Sequence, residues 1–313
     1  MRGLAIPLMH RRRPAWRSAI VALALLLPQP ASAWLGEGHR ATATLAYDLL
    51  EQRDPEAIAA ILRVMQAHPD RARFDSQLGD LAGRDRERRI FELMAVWPDA
   101  VRGTAYDHPS WHQSQRIVSS VRSVIPFSFG SAQAEFARNL AVARDAGAPE
   151  AERAIALCWV MHIVGDMHQP LHAAMWMSWR FPITDAGGQW AWVRPAPDAD
   201  PVRLHRFWDA AGRTGGITLA PSASLEAQLV PDPPSEEAEA IAPDPETAFA
   251  GWVAHSRKLA FEVVYRRGAL RRSPSPRSAP VLPPDYIEQA RVVSLTQLRA
   301  AGDRIGTLLT GLR

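Results

Sequence analysis

Histidine and aspartate stand four residues apart twice in this chain: His162 and Asp166 in His-Ile-Val-Gly-Asp-Met-His-Gln-Pro-Leu-His, and His205 and Asp209 in Leu-His-Arg-Phe-Trp-Asp. Positions i and i+4 of a helix share a face, so each pair offers a nitrogen and an oxygen to one point in space. Pro170 ends the first helix and turns the chain so that His172 can return to the same place, whereas His168 projects elsewhere. A single His or Asp is more often a core polar group with a hydrogen-bond partner. Five together need a shared partner, and a metal ion is the simplest one. Nitrogen and oxygen donors without sulfur suit Zn2+ and suit neither iron–sulfur clusters nor copper(I). Gly165, between His162 and Asp166, leaves room for other backbone to come close.

The N-terminal residues bear on the same chemistry. Arg2, Arg11, Arg12, Arg13 and Arg17 precede or flank an apolar run from Ala19 to Leu27, and Ala31-Ser32-Ala33 closes the segment. This is the pattern of a signal peptide over residues 1–33, and its apolar run falls far short of the roughly 20 residues of a spanning helix. Cleavage would make Trp34 the mature terminus. Its free amine would lose a proton to a metal near neutral pH, and amine and carbonyl together would close a five-membered chelate ring. The expectation is a secreted or periplasmic protein with no stable membrane association after cleavage. The cluster Arg11-Arg12-Arg13 does not by itself identify the twin-arginine route. Without the leader the formal net charge of +3 becomes about −2, so the basic balance of the whole chain is not a nucleic-acid footprint. Phosphate would have to be held by metals and a few local arginines. Cys158 is the only cysteine, which excludes an intramolecular disulfide, and its apolar surroundings read as a small buried hydrophobe.

The elements that must position these residues are mostly helices. Apolar residues recur at helical spacing over Gly38–Gln52, Pro55–Ala67, Ile90–Trp97, Ser131–Ala146, Pro149–Val164, Pro245–Arg267 and Tyr286–Leu312. Gln189–Val193 alternates and predicts one short β-hairpin arm. Pro195–Pro201, Leu229–Asp244 and Arg271–Pro284 read as surface loops. The pattern predicts an all-α single domain of packed helices over residues 34–313, with metals bound between helices.

Trp34 with His39 in Trp-Leu-Gly-Glu-Gly-His, the block from His162 to His172, and Ala300-Ala301-Gly302-Asp303-Arg304-Ile305 resemble the S1/P1 nuclease family, which is related to the zinc-dependent phospholipases C. Two further stretches join the resemblance: Ala95-Val-Trp-Pro-Asp-Ala-Val-Arg and His108-Pro-Ser-Trp-His. On its own Asp99, after Pro98, reads equally well as a helix or turn cap. The resemblance implies three zinc ions. Asp99, His112, His162 and Asp166 would hold one. The Trp34 amine and carbonyl, His39 and Asp166 would hold a second, with Asp166 bridging. His172, His205 and Asp209 would hold the third. Paired zincs about 3.5–4 Å apart would activate a shared water for in-line attack on phosphorus, and the third would stabilise the departing 3′ oxygen. Asp99 and Asp166 thus stand at the reacting centre. Arg102, three residues beyond Asp99, is placed to brace a phosphate oxygen or is a solvated helix-face arginine.

What the resemblance implies is a secreted zinc-dependent phosphodiesterase that cuts single-stranded DNA and RNA to 5′-phosphorylated products, with 3′-nucleotidase activity. The alternatives are a phospholipase C type of zinc phosphodiesterase and a metal-binding relative without catalysis. Asp209 stands where the phospholipases usually carry Glu, which favours the nuclease. The chain departs from the family around its substrate pocket. Gln113-Ser114-Gln115 follows Trp111-His112 in place of an aromatic residue and an aspartate, Gln189 follows Gly187-Gly188 in place of Asn, and His255 stands where relatives often have Glu. Gln115 is then a candidate to hydrogen-bond a base edge, and Trp176, Trp179 and Trp190 are candidates to stack a base.

Overall fold

The computed structural model describes residues 34–119, 127–210 and 244–313. The expected leader and most of the loop Leu229–Asp244 lie outside the described residues. Among the latter there are ten α-helices: α1 Gly36–Arg53, α2 Pro55–Met65, α3 Arg71–Asp75, α4 Gly83–Ala100, α5 Ala132–Arg144, α6 Glu150–Met167, α7 Pro170–Ala173, α8 Leu204–Asp209, α9 Pro245–Leu259 and α10 Pro284–Leu309. The all-α expectation holds, and no described helix is long and apolar enough to cross a membrane.

Helix α6 is central because it is apolar on every side: from Arg153 onward nearly all its residues are buried. It packs against α5, α4, α10 and α2. Helix α1 lies between α4 and α10. Its approach to α10 depends on small residues, since a Cβ at Gly302 would stand 2.5 Å from Leu45 Cβ and one at Gly306 2.8 Å from a Leu49 methyl. Asp54 caps α2 by accepting from Ala57 N and also accepts from Gly311 N at 2.8 Å, so one carboxylate ties the α1–α2 junction to the chain just after α10.

Strands are short. β1 Gln115–Ile117 lies between β2 Ser128–Phe129, antiparallel, and β3 Ala174–Met175, parallel. β4 Trp192–Val193 pairs antiparallel with β5 Val202–Arg203, which is the expected arm in shorter form, with Pro195–Pro201 as its loop. The expected helix Ile90–Trp97 instead runs from Gly83 to Ala100 with Pro98 inside it. Proline removes one donor in the last turn, where the chain was about to leave the helix. The helix expected to continue to Arg267 turns π-helical over Ala260–Val264. α3, α7 and α8 span fewer than two turns each and carry no readable period.

Candidate metal centre

The donors come from six places in the fold. His39 is on the second turn of α1, Asp99 on the last turn of α4, and His112 on a 3-10 turn, Pro109–His112. His162 and Asp166 are on α6, His172 is on α7, and His205 and Asp209 are on α8. The structure brings them into three groups, the first two sharing His162: His39, Asp99 and His162; His112, His162 and Asp166; and His172, His205 and Asp209. Within each group the donor atoms lie within 4.8 Å of one another.

Asp166 is the hub. Its fully buried carboxylate has Oδ1 3.1 Å from His39 Nε2 and Oδ2 2.9 Å from His112 Nδ1, 3.3 Å from His162 Nε2 and 4.0 Å from His172 Nδ1. His162 and Asp99 approach to 3.8 Å, and His205 and Asp209 to 3.6 Å. Gly165 makes the approach of His39 possible. The room is taken by its imidazole and not by backbone: a Cβ at position 165 would stand 2.8 Å from His39 Nδ1.

The protons settle what the cluster fits. Three rings donate Nδ1–H to backbone carbonyls: His162 to Ala95 at 2.7 Å, His172 to His112 at 2.6 Å and His205 to Gly187 at 2.7 Å. Burial lowers the pKa of His172 to about 4 and that of His205 to about 3, so both rings are neutral at pH 7 and each Nε2 carries a lone pair. Those two Nε2 atoms face each other at 3.0 Å. Two lone pairs at that distance repel unless a cation lies between them. His39 Nδ1 and Nε2, His112 Nε2 and Asp166 Oδ1 are buried without a hydrogen-bond partner, which costs free energy that a shared ion would recover. The donor set therefore fits metal ions.

The remaining ionisations follow from position. Burial, then His162, lowers the pKa of His39, and burial lowers that of His112 against the pull of Asp166. Burial opposes charge on His162, but Asp166 and Asp99 outweigh it and raise its pKa. Asp166 is held well below the usual carboxylate range in spite of burial, chiefly by His162, by the hydrogen bond from His112 and by the nearness of His39. Asp209 is pushed well up, because its burial is offset by little more than Gln169.

Trp34 is buried, its indole N–H donates to the Gly165 carbonyl at 3.0 Å, and Leu35 N donates to the Asp209 carbonyl at 3.2 Å. The segment thus touches the backbone beside two of the expected ligands. Arg102 is not a solvated helix-face side chain: its Nε and Nη2 donate to Asp99 Oδ1 at 3.0 and 2.5 Å, which holds the guanidinium at the edge of the cluster. Gln115 is buried, and its amide donates to the Leu171 carbonyl at 2.8 Å, which removes it as a reader of base edges. Trp176 is in the core against Tyr265, whereas Trp179 is fully exposed and Trp190 is 37% exposed. His168 points away from the cluster and packs between the Val164 carbonyl and Arg304. Cys158 is buried.

Two residues that sequence reasoning missed position the ligands. Gln169 Nε2 donates to Asp209 Oδ1 at 2.7 Å while its Oε1 caps α7 at Leu171 N. Asp185 opens the turn Ala186-Gly187-Gly188, three residues of positive φ, which presents the Gly187 carbonyl to His205. Its carboxylate accepts from Trp176 N and the Tyr265 hydroxyl and lies 3.7 Å from Arg272, whose guanidinium is ringed by Trp176, Phe181 and Tyr265. The Gln-Pro step before His172 was a readable cap signal; Asp185 had none.

No curated protein matches the chain in sequence. The model of the S1/P1 nuclease family matches residues 34–312, and with that match the protein belongs to the S1/P1 nucleases, metal-dependent hydrolases that act on phosphodiester bonds.

Proposed function

We propose that this protein is an exported or periplasmic zinc nuclease that cuts single-stranded DNA and RNA to 5′-phosphorylated products, with 3′-nucleotides as poorer substrates. The observation that carries the reading is the convergence of three His/Asp groups, two of them sharing His162, around the buried carboxylate of Asp166. Asp99, His112, His162 and Asp166 would hold one zinc ion; the Trp34 amine and carbonyl, His39 and Asp166 a second; His172, His205 and Asp209 a third. Zinc in these places supplies Lewis acidity toward phosphoryl oxygens and lowers the pKa of water enough to make it a nucleophile at neutral pH.

The chain's own residues prepare that chemistry. His162, His172 and His205 keep their protons on Nδ1, against carbonyls, and turn Nε2 inward. The neighbours of Asp166 favour its anionic form, while burial disfavours charge on Asp209, which a cation beside it would offset. Arg102 steadies the Asp99 carboxylate. The lack of an aromatic residue and a carboxylate at Gln113-Ser114-Gln115 supports weak base selectivity and a poor grip on mononucleotides, which have few phosphate contacts to compensate.

The zinc-loaded protein beginning at Trp34 should be assayed on single-stranded DNA, RNA, 3′-AMP and phosphatidylcholine. Cleavage of both nucleic acids with 5′-phosphate ends is expected. Turnover of phosphatidylcholine alone would overturn the reading, and strong preference for one nucleobase in 3′-mononucleotides would show a base pocket elsewhere.

A further inference from the structure

The segment from Trp176 to Trp190 leaves the metal centre after β3 and returns to it at Gly187. Among the described residues it carries both exposed tryptophans, Trp179 at 100% and Trp190 at 37%, together with Ile183 at 69%. It is tightly framed. Ser178 and Phe181 exchange backbone hydrogen bonds at 3.0 and 2.9 Å, Asp185 N donates to the Trp176 carbonyl at 2.8 Å, and Trp190 N donates to the Asp185 carbonyl at 3.1 Å. Phe181 is buried against Arg272. A fully hydrated indole on a fixed frame is surface that folding has left unburied.

Two observations say what covers it. The first is position: Gly187 holds the His205 ring, and Trp190 is three residues further, within about 11 Å along the backbone. The second is charge: between Ala174 and Pro197 the only acid is Asp185, which is buried, whereas Arg180 and Arg194 donate to the carbonyls of Arg272 and Ala199. Such bonds leave the cationic charge in place. Flat aromatic faces on a segment whose own charges outside the core are both cationic, the exposed acids Asp198 and Asp200 coming only in the loop beyond it, complement a flexible polyanion whose every base has a π-face. We propose that Trp179 and Trp190 stack bases of the single-stranded nucleic acid that flanks the scissile phosphate, so that this segment, and not the residues after His112, supplies the grip on the substrate's bases. The proposal rests on the nuclease reading above.

The test compares KM for a long single-stranded oligonucleotide with KM for a dinucleotide in the zinc-loaded protein and in W179A, W190A and W179F. Each alanine variant should raise the oligonucleotide KM about fivefold or more, with kcat and zinc content held, and so shrink the advantage of length; W179F should restore most of it. Binding of a non-hydrolysable phosphorothioate oligonucleotide, followed by fluorescence anisotropy, should weaken in parallel. That measurement decides the stacking role even if the wild-type protein cuts no nucleic acid, which would instead sink the nuclease reading. An unchanged length advantage and unchanged anisotropy in W179A and in W190A would overturn the proposal. Loss of phosphatidylcholine vesicle binding in W179A with oligonucleotide affinity intact would assign the tip to a lipid surface and overturn it as well.

Discussion

Replacing Gly165 with alanine sets helix propensity against the geometry of the metal centre. Gly165 is inside α6, where alanine would by propensity alone add about 1 kcal/mol of stability. The added methyl would stand 2.8 Å from His39 Nδ1 and 3.0 Å from Cε1, and ordinary contact begins at 3.4 Å. The ring must therefore retreat by about 0.6 Å, more than the roughly 0.5 Å within which a functional side chain must be held. Little slack is available, because His39 stacks on His162 at 4.1 Å and His162 is tied to the Ala95 carbonyl. Overpacking of this kind costs about 1–3 kcal/mol, enough to cancel the gain in propensity. In Gly165→Ala, zinc per chain should fall by about one, kcat/KM should drop at least about tenfold, and the metal-loaded protein should melt no higher than wild type. Elemental analysis, turnover and thermal melts measure the three. A Gly165→Ala protein with full zinc, turnover within about twofold of wild type and a raised Tm would refute the claim that His39 has no room to move.

Asp166→Asn should be the most damaging single substitution, with loss of zinc and of turnover by about a thousandfold or more, since it removes the carboxylate that meets four imidazoles; an Asn variant with its zinc and near-normal turnover would show that Asp166 is not the bridge. Chelation should abolish activity and lower Tm in the same titration, because bound metal offsets the orphaned buried donors; scanning calorimetry with and without chelator checks this. Burial lowers the pKa of His68 to about 4 from 6.5, so the unfolded chain binds its proton first. His68 should stabilise the fold fully above pH 6.5 and progressively less down to about pH 4, a change on the order of 2–3 kcal/mol, and His68→Gln should flatten the urea-unfolding free energy over that window. Protein carrying Met or a tag before Trp34 has an amide in place of the amine and should be poorly active until a protease trims it; equal turnover of the two forms at equal zinc content would rule out the terminus as a ligand.

Legibility in the sequence followed the range of the contacts. His162 with Asp166 and His205 with Asp209 were visible because their meeting, at 3.3 and 3.6 Å, is set by the pitch of one helix. The long helices were visible for the same reason, and their ends were misread only where local rules yielded to packing, as at Pro98. His39, Asp99 and His112 carry no such period. They reach the cluster from α1, α4 and a 3-10 turn, and only the family resemblance pointed to them. Gln115 misled because a polar side chain after Trp-His looks available, yet tertiary packing commits its amide to the Leu171 carbonyl. Asp185 acts through Trp176, Tyr265 and Arg272, up to 87 positions away along the chain, and sequence spacing has nothing to say about such a contact.

The orientation of the histidines by carbonyls has an electrostatic consequence. Had each Nδ1–H been held by a carboxylate, every ring would have brought a negative charge with it. Backbone oxygens fix the tautomers of His162, His172 and His205 and add none. The ligand set then contributes only the three carboxylates of Asp99, Asp166 and Asp209, half the charge of three divalent cations. With the three zinc ions proposed above, the centre would keep a surplus of positive charge, concentrated in a few buried points. Capture of a phosphodiester at such points involves few condensed counterions, so the affinity for substrate should depend on ionic strength far less steeply than that of a protein which grips nucleic acid with a broad lysine and arginine face.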